Sequence, residues 1–96
     1  MKEGFDSPRD RHMPFYVYMI LSKNKKRTIS YVGYTNNVEK RVKLHNSSKG
    51  AKFTKGRKWV LIYKKLYFSK SKAMKEEYNL KVNYRRRKLI ISRNIN

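Results

Sequence analysis

Phe15-Tyr16-Val17-Tyr18-Met19-Ile20-Leu21 is the stretch on which the fold turns. It is aromatic and β-branched, apolar at every position, and stopped by the polar run Ser22-Lys23-Asn24-Lys25-Lys26. A strand with no polar face must be covered on both sides, so this one belongs in the middle of a sheet. Thr28-Ile29-Ser30-Tyr31-Val32-Gly33-Tyr34 reads as a second strand, and the short loop between the two fits an antiparallel hairpin.

Further along, Asn36 or Thr35 can cap a helix running from about Asn37 to His45, with Glu39 three residues after Asn36 in the position that completes a capping box. Its apolar stripe is Val38, Val42 and His45, and Arg41 lies beside it. Trp59 to Phe68 reads as a third strand, long enough to bend at Lys64-Lys65. Ser69 or Ser71 can cap a second helix over Lys70 to Val82, and Tyr84 to Ser92 makes a third. The order is β-β-α-β-α-α, an α+β domain over residues 14–92. Residues 1–13 read as a flexible leader and residues 93–96 as a frayed tail.

Composition narrows the function. With 96 residues the chain supports one small domain, and 8 Tyr, 4 Phe and 1 Trp must do much of the core filling. There is no cysteine, which removes disulfides and thiolate metal sites and gives no sign of an oxidising compartment. No run is long enough to span a bilayer, so a soluble, cytoplasmic protein is expected. The formal net charge is +20, and beyond the first ten residues only Glu39, Glu76 and Glu77 are acidic. An AT-rich genome explains Lys in place of Arg but not the missing acids. Self-repulsion of this size is commonly offset by a polyanion, with nucleic acid the leading partner and an anionic membrane surface its competitor.

Several residues stand out for chemistry, each with an ordinary explanation beside it. Arg41 and His45 at i and i+4 can hold one phosphate between them, although a lone Arg is usually solvated and a lone His usually packs. The loop Asn46 to Gly56 is either a plain connection or a cradle in which Lys49, Lys52 and Lys55, with Arg57 beyond, meet phosphates. Arg85, Arg86 and Arg87 form a second basic run. In the second helix, steps of 100° put Ala73, Leu80 and Tyr84 in one arc with Met74 beside them, and Glu77 falls inside that arc. Either Glu77 snorkels to pair with Lys81, or it serves a metal or a reaction. Among the tyrosines, composition and spacing single out none.

Taken in order, Tyr16-Val17-Tyr18, a hairpin, Tyr31-Val32-Gly33, Arg41-x-x-x-His45, His45-Asn46-Ser47-Ser48-Lys49-Gly50-Ala51-Lys52 and a late helical Glu77 resemble the GIY-YIG nuclease domain. The likeness extends from about Phe15 to Leu89 and is nearest to the small stand-alone bacterial members. The resemblance implies a three-stranded antiparallel sheet flanked by helices and hydrolysis of DNA phosphodiesters, favoured over RNA, with one Mg²⁺ or Mn²⁺ and no small-molecule cofactor. It also implies a role in repair or recombination at the nucleoid. By the same resemblance Tyr18 and Tyr31 take the places of the two motif tyrosines, Arg41 steadies the phosphate, His45 matches the family histidine, and Glu77 holds the cation. A tyrosine base would need its pKa lowered by nearby cations. Tyr16 stands where the first motif has its glycine, and no second domain is visible to set specificity.

Overall fold

The computed structural model describes residues 14–95 other than Lys25, so the expected leader, residues 1–13, lies outside the described residues. Three strands form one antiparallel sheet: β1 (Phe15–Lys23), β2 (Thr28–Thr35) and β3 (Val60–Tyr67), in the order β2-β1-β3. Among the described residues three helices flank it: α1 (Val38–Asn46) between β2 and β3, then α2 (Lys70–Val82) and α3 (Tyr84–Ile95) after them. A single 3₁₀ turn, Lys52–Thr54, interrupts the α1 to β3 connection. The expected order β-β-α-β-α-α is the observed one.

β1 is the central strand, and its residues divide by parity. Val17 and Met19 pack with Val32, Ala73, Leu80 and Ile90, which places α2 and α3 on one face of the sheet. Tyr18 and Ile20 pack with Val38 and Trp59, which places α1 and the loop after it on the other. A run of apolar residues without alternation is therefore satisfied by two small cores rather than one.

Local chemistry sets the element ends. Asn24 closes the hairpin, its side-chain oxygen accepting from the backbone N–H of Lys26 and of Arg27 at 2.9 Å each. Ser69 caps α2 through the N–H of Lys72, as expected. α1 is capped by Asn37, one residue beyond the expected Asn36, with its Oδ1 accepting from Lys40 N–H at 3.0 Å. That shift puts Lys40, not Glu39, at the reciprocal position, so the capping box does not form. Thr35 instead receives the Asn37 N–H.

Three further expectations are corrected. β3 is irregular opposite Met19 and Ile20, where Tyr63 and Leu61 are the paired residues and Ile62 is the extra one, rather than at Lys64-Lys65. α3 continues to Ile95, past the expected end at Ser92. Tyr84 and Met74 are exposed rather than part of the inward arc of α2. Asn83 ends that helix with ψ 83°, so Tyr84 no longer follows its rotation, and Asn83 Oδ1 caps α3 through Arg86 N–H at 3.0 Å.

Candidate active site

The candidate residues converge where β2, an outer strand, meets α1 and α2. Tyr18 is opposite Gly33 in the β1–β2 register, and its ring lies over that glycine. A Cβ at Gly33 would stand 2.5 Å from the Tyr18 hydroxyl and 2.7 Å from Cζ. Gly33 is thus needed for room: any side chain there would occupy the space of the phenol.

From that hydroxyl a hydrogen-bonded chain runs inward. Tyr18 is 1% exposed and His45 fully buried, and the Tyr18 hydroxyl lies 2.8 Å from His45 Nε2. On the other side of the imidazole, Nδ1 is 2.8 Å from Thr54 Oγ1, and that hydroxyl donates to Ala51 O at 2.8 Å. Counting protons fixes the direction of the chain. Thr54 has one hydroxyl hydrogen and gives it to Ala51, so its oxygen accepts from His45 Nδ1–H. The Nε2 of the neutral ring then carries the lone pair, and Tyr18 donates to it.

Burial and charge agree with that assignment. Loss of hydration lowers the His45 pKa below its usual 6.5, and the nearby Arg41 guanidinium lowers it further, so the ring is neutral at pH 7. Tyr18 is pushed up to about 12, with desolvation as the largest cause. Arg41 opposes that rise by hydrogen bonding and charge, while Tyr31 and Glu77 add to it. The lowering by cations that a tyrosine base would need is not met at Tyr18: the cation is there, but burial outweighs it.

Around the Tyr18 hydroxyl stand Tyr31, Arg41 and Glu77, all close enough for their electrostatics to act on it. The Tyr31 ring packs on His45 with centroids 5.1 Å apart. Arg41 Nε is buried without a hydrogen-bond partner, leaving a charged donor unsatisfied inside the site. The Glu77 side chain is 16% exposed and pairs with Lys81 at 3.2 Å.

Among the described residues no group of three or more His, Cys, Asp or Glu converges, so an all-protein metal cage is not formed. A Mg²⁺ ion keeps several of its waters and takes one or two carboxylates plus substrate phosphate oxygens. A partly buried Glu77, one of the charged groups that act on the Tyr18 hydroxyl, fits that donor set.

The basic candidates divide. Lys49, Lys52 and Lys55 are exposed; Lys55 and Arg57 line a cleft of about 490 Å³ together with Ser22, Lys23, Gly56 and Lys58. Arg85 is exposed, whereas Arg86 donates to the Tyr63 hydroxyl at 3.1 Å. Arg87 donates to Leu80 O at 3.1 Å and to Lys81 O, closing the end of α2, and it also lines a cleft with Tyr31 and Phe53.

Composition and spacing did not single out Thr54, Gly50 or Phe53. A Cβ at Gly50 would run into the His45 ring, so this glycine of the Lys49-Gly50-Ala51-Lys52 loop seats the imidazole. The signal for Thr54 was faint: a hydroxyl residue after a Gly-Ala pair, nine positions from His45. Thr54→Val removes the acceptor for His45 Nδ1–H and the donor to Ala51 O in a buried place. It is expected to lower stability by about 1–3 kcal/mol in urea unfolding.

Comparison with known families decides what this constellation belongs to. Residues 14–90 match the GIY-YIG catalytic domain. The chain is a member of the GIY-YIG family. It is similar to a UPF0213 protein of Staphylococcus haemolyticus, 47% identical over 75 residues that cover 77% of this chain and 88% of the relative. A UPF0213 protein of Staphylococcus saprophyticus is 40% identical over 81 residues, covering 83% and 92%. Among solved structures, a UPF0213 protein of Bacillus halodurans studied by solution NMR is 38% identical, covers 85% of this chain and 86% of its own, and gives a TM-score of 0.46. A GIY-YIG catalytic domain implies nuclease activity and contact with nucleic acid. No helix among the described residues is long and apolar enough to cross a membrane.

Proposed function

We propose that this protein is a divalent-cation-dependent endonuclease that hydrolyses DNA phosphodiesters, at structured or single-stranded sites and with weak sequence preference, in repair or recombination. On this reading it works in the cytoplasm at the nucleoid. The observation that carries the proposal is the buried chain Tyr18–His45–Thr54 ending at the point on which Tyr31, Arg41 and Glu77 also converge.

The geometry supports the following roles. Arg41, with an unsatisfied Nε and no charge partner among the described residues, binds the phosphate and offsets its growing charge. Tyr18 with a pKa of about 12 is not a phenolate at neutral pH, so it acts through its neighbour. As the attacking water loses a proton to the Tyr18 oxygen, the Tyr18 proton passes to His45 Nε2, whose lone pair already faces it. Tyr31 hydrogen-bonds the water or phosphate from the open side. Glu77 would hold a Mg²⁺ or Mn²⁺ ion, which when bound neutralises charge on the phosphate and leaving oxygens.

A pH dependence follows. Cleavage needs neutral His45, and its pKa is depressed, so the rate should hold as pH falls from 7.5 to the usual histidine value and drop only below it. Stability runs with the same sign. The unfolded chain takes up a proton near pH 6.5 that folded His45 refuses, so stability is fully present above that pH and declines as pH falls through the window between the two values. A melting series from pH 7.5 to 5 would show this, with the slope flattened in His45→Gln.

The proposal is tested by incubating purified protein with Mg²⁺ or Mn²⁺ and a panel of branched, flapped, single-stranded and duplex DNAs. Wild type should nick at least one of them. Arg41→Ala should lower that rate by roughly 10²–10³-fold, the scale seen when one donor to a developing oxyanion is removed. The ion pair between Glu77 and Lys81 favours a second reading, a nucleic-acid-binding module of the same fold without turnover. Tight binding with no cleavage anywhere in the panel would establish that reading and remove the first.

A further inference from the structure

Phe53 is 59% exposed, yet it lies in the most closely bonded turn of its loop. It sits inside the 3₁₀ turn Lys52–Thr54, and the next residue, Thr54, is fully buried and bonded to His45. Backbone bonds from Thr54 N to Ala51 O and from Lys55 N to Lys52 O close the turn. The backbone that carries this exposed ring is thus tied on both sides of it.

That place continues the site. The Phe53 ring is stacked on Tyr31, with centroids 6.2 Å apart and planes inclined by 23°. Tyr31 in turn packs on His45. A ladder of rings thus leads from the buried relay to solvent, and its last rung has one face bare. Phe53 and Tyr31 line a cleft of about 300 Å³ with Ser30, Val32, Lys81 and Arg87. An aromatic face beside two cations is the recurring arrangement for a base with its phosphate.

We propose that Phe53 is a stacking platform for one unpaired nucleobase of the strand being cut, with Lys81 and Arg87 facing that nucleotide's phosphate. A base inside a duplex is covered on both faces by its neighbours and cannot add Phe53 without leaving the stack. The platform therefore selects single-stranded or flapped nucleic acid and is tolerant of sequence, since every base has a π-face. Only the statement that the base lies on the cleaved strand rests on the nuclease reading; the stacking does not need hydrolysis.

The test is equilibrium binding of the full chain, without divalent ions, to a short fluorescent oligothymidylate, an abasic oligomer of the same length and a blunt-ended duplex. Phe53→Ala should weaken oligothymidylate binding by about 5- to 150-fold, the range expected for one stacked base. Its salt slope should not change, because no phosphate contact is lost. Duplex affinity should stay within about twofold, and wild type should bind the abasic oligomer no better than Phe53→Ala binds oligothymidylate. Phe53→Leu keeps apolar bulk against Tyr31 without the ring and should behave like Phe53→Ala. Phe53→Trp should retain affinity, and its emission should be quenched on binding; the native Trp59 is buried and serves as background. Equal losses on single strand and duplex, a changed salt slope, or full affinity of wild type for the abasic oligomer would each overturn the proposal. Absence of cleavage with these binding results intact would remove the nuclease reading and leave the platform standing.

Discussion

Glu77→Gln is expected to lower cation-dependent cleavage by roughly 10³-fold while leaving the fold in place, a loss of about 4 kcal/mol in transition-state stabilisation and the scale of a lost Lewis acid. The substitution keeps the shape of the side chain and removes only its charge. The Lys81 contact that disappears with it is an i,i+4 pair worth tenths of a kcal/mol, so the melting temperature should barely move. Nucleic-acid binding without divalent ions should hold or tighten slightly, since one negative charge leaves the site and Lys81 is released. Single-turnover cleavage and anisotropy on the same preparation separate the two effects. If Glu77→Gln cuts as fast as wild type, the cation is not held there and the carboxylate is only the partner of Lys81.

Gly33→Ala should damage stability and chemistry together. The added carbon would stand 2.5 Å from the Tyr18 hydroxyl, 2.7 Å from Cζ and 3.0 Å from Cε1, distances at which something must shift. The ring cannot swing freely, because its hydroxyl is bonded to His45 and its body is buried in the core with Ile20, Val38 and Trp59. Overpacking of this kind costs about 1–3 kcal/mol, and loss of the Tyr18–His45 bond adds about 1 kcal/mol. Displacing the hydroxyl by about 1 Å should slow cleavage by roughly 10²-fold even in the folded fraction. In a double-mutant cycle with Tyr18→Phe the two changes should be less than additive in stability, since the closest clash partner is gone while Cζ remains. Additive losses, or a Gly33→Ala protein as stable as wild type, would refute the steric account.

Much of the fold was legible because its signals were local. The unbroken apolar run of β1 announced a covered strand, and Ser69 and Ser71 announced the start of α2, with Ser69 the cap observed. Local signals also fail locally. Asn36 or Thr35 was the expected cap of α1, but the cap is Asn37, and Thr35 supports it by receiving the Asn37 N–H. No residue type marks Ile62 as the irregular position of β3, because a register slip belongs to the pairing of two strands. Tyr84 was misplaced because a rotation of 100° per residue holds only while the helix lasts, and Asn83 ends it.

The site was legible to a different degree. Arg41, His45 and Glu77 could be flagged from spacing and charge, since each sits oddly on its helix. What makes Tyr18 special is a bond to a residue 27 positions away, and no periodicity reports that. Its raised pKa was missed for the same reason: the neighbouring cation is visible in the sequence, and the burial that outweighs it is not. Thr54 and Phe53 lie in a loop whose backbone is held by Gly50, Ser48 and Asn46 through contacts that belong to the folded molecule alone.

That last contact bears on how the protein could change. Asn46 at the end of α1 grips the backbone of Trp59, the residue before β3, from both sides, its amide giving to the carbonyl and taking from the N–H. The segment between them is therefore closed at its base by one side chain, independently of what its tip contains. Within it Gly50 and Thr54 are fixed by His45, while Lys49, Lys52, Phe53 and Lys55 point outward. Such a loop can be rewritten at its outward positions, by selection or by design, to give the same hydrolytic centre a new taste in nucleic acid without reopening the fold.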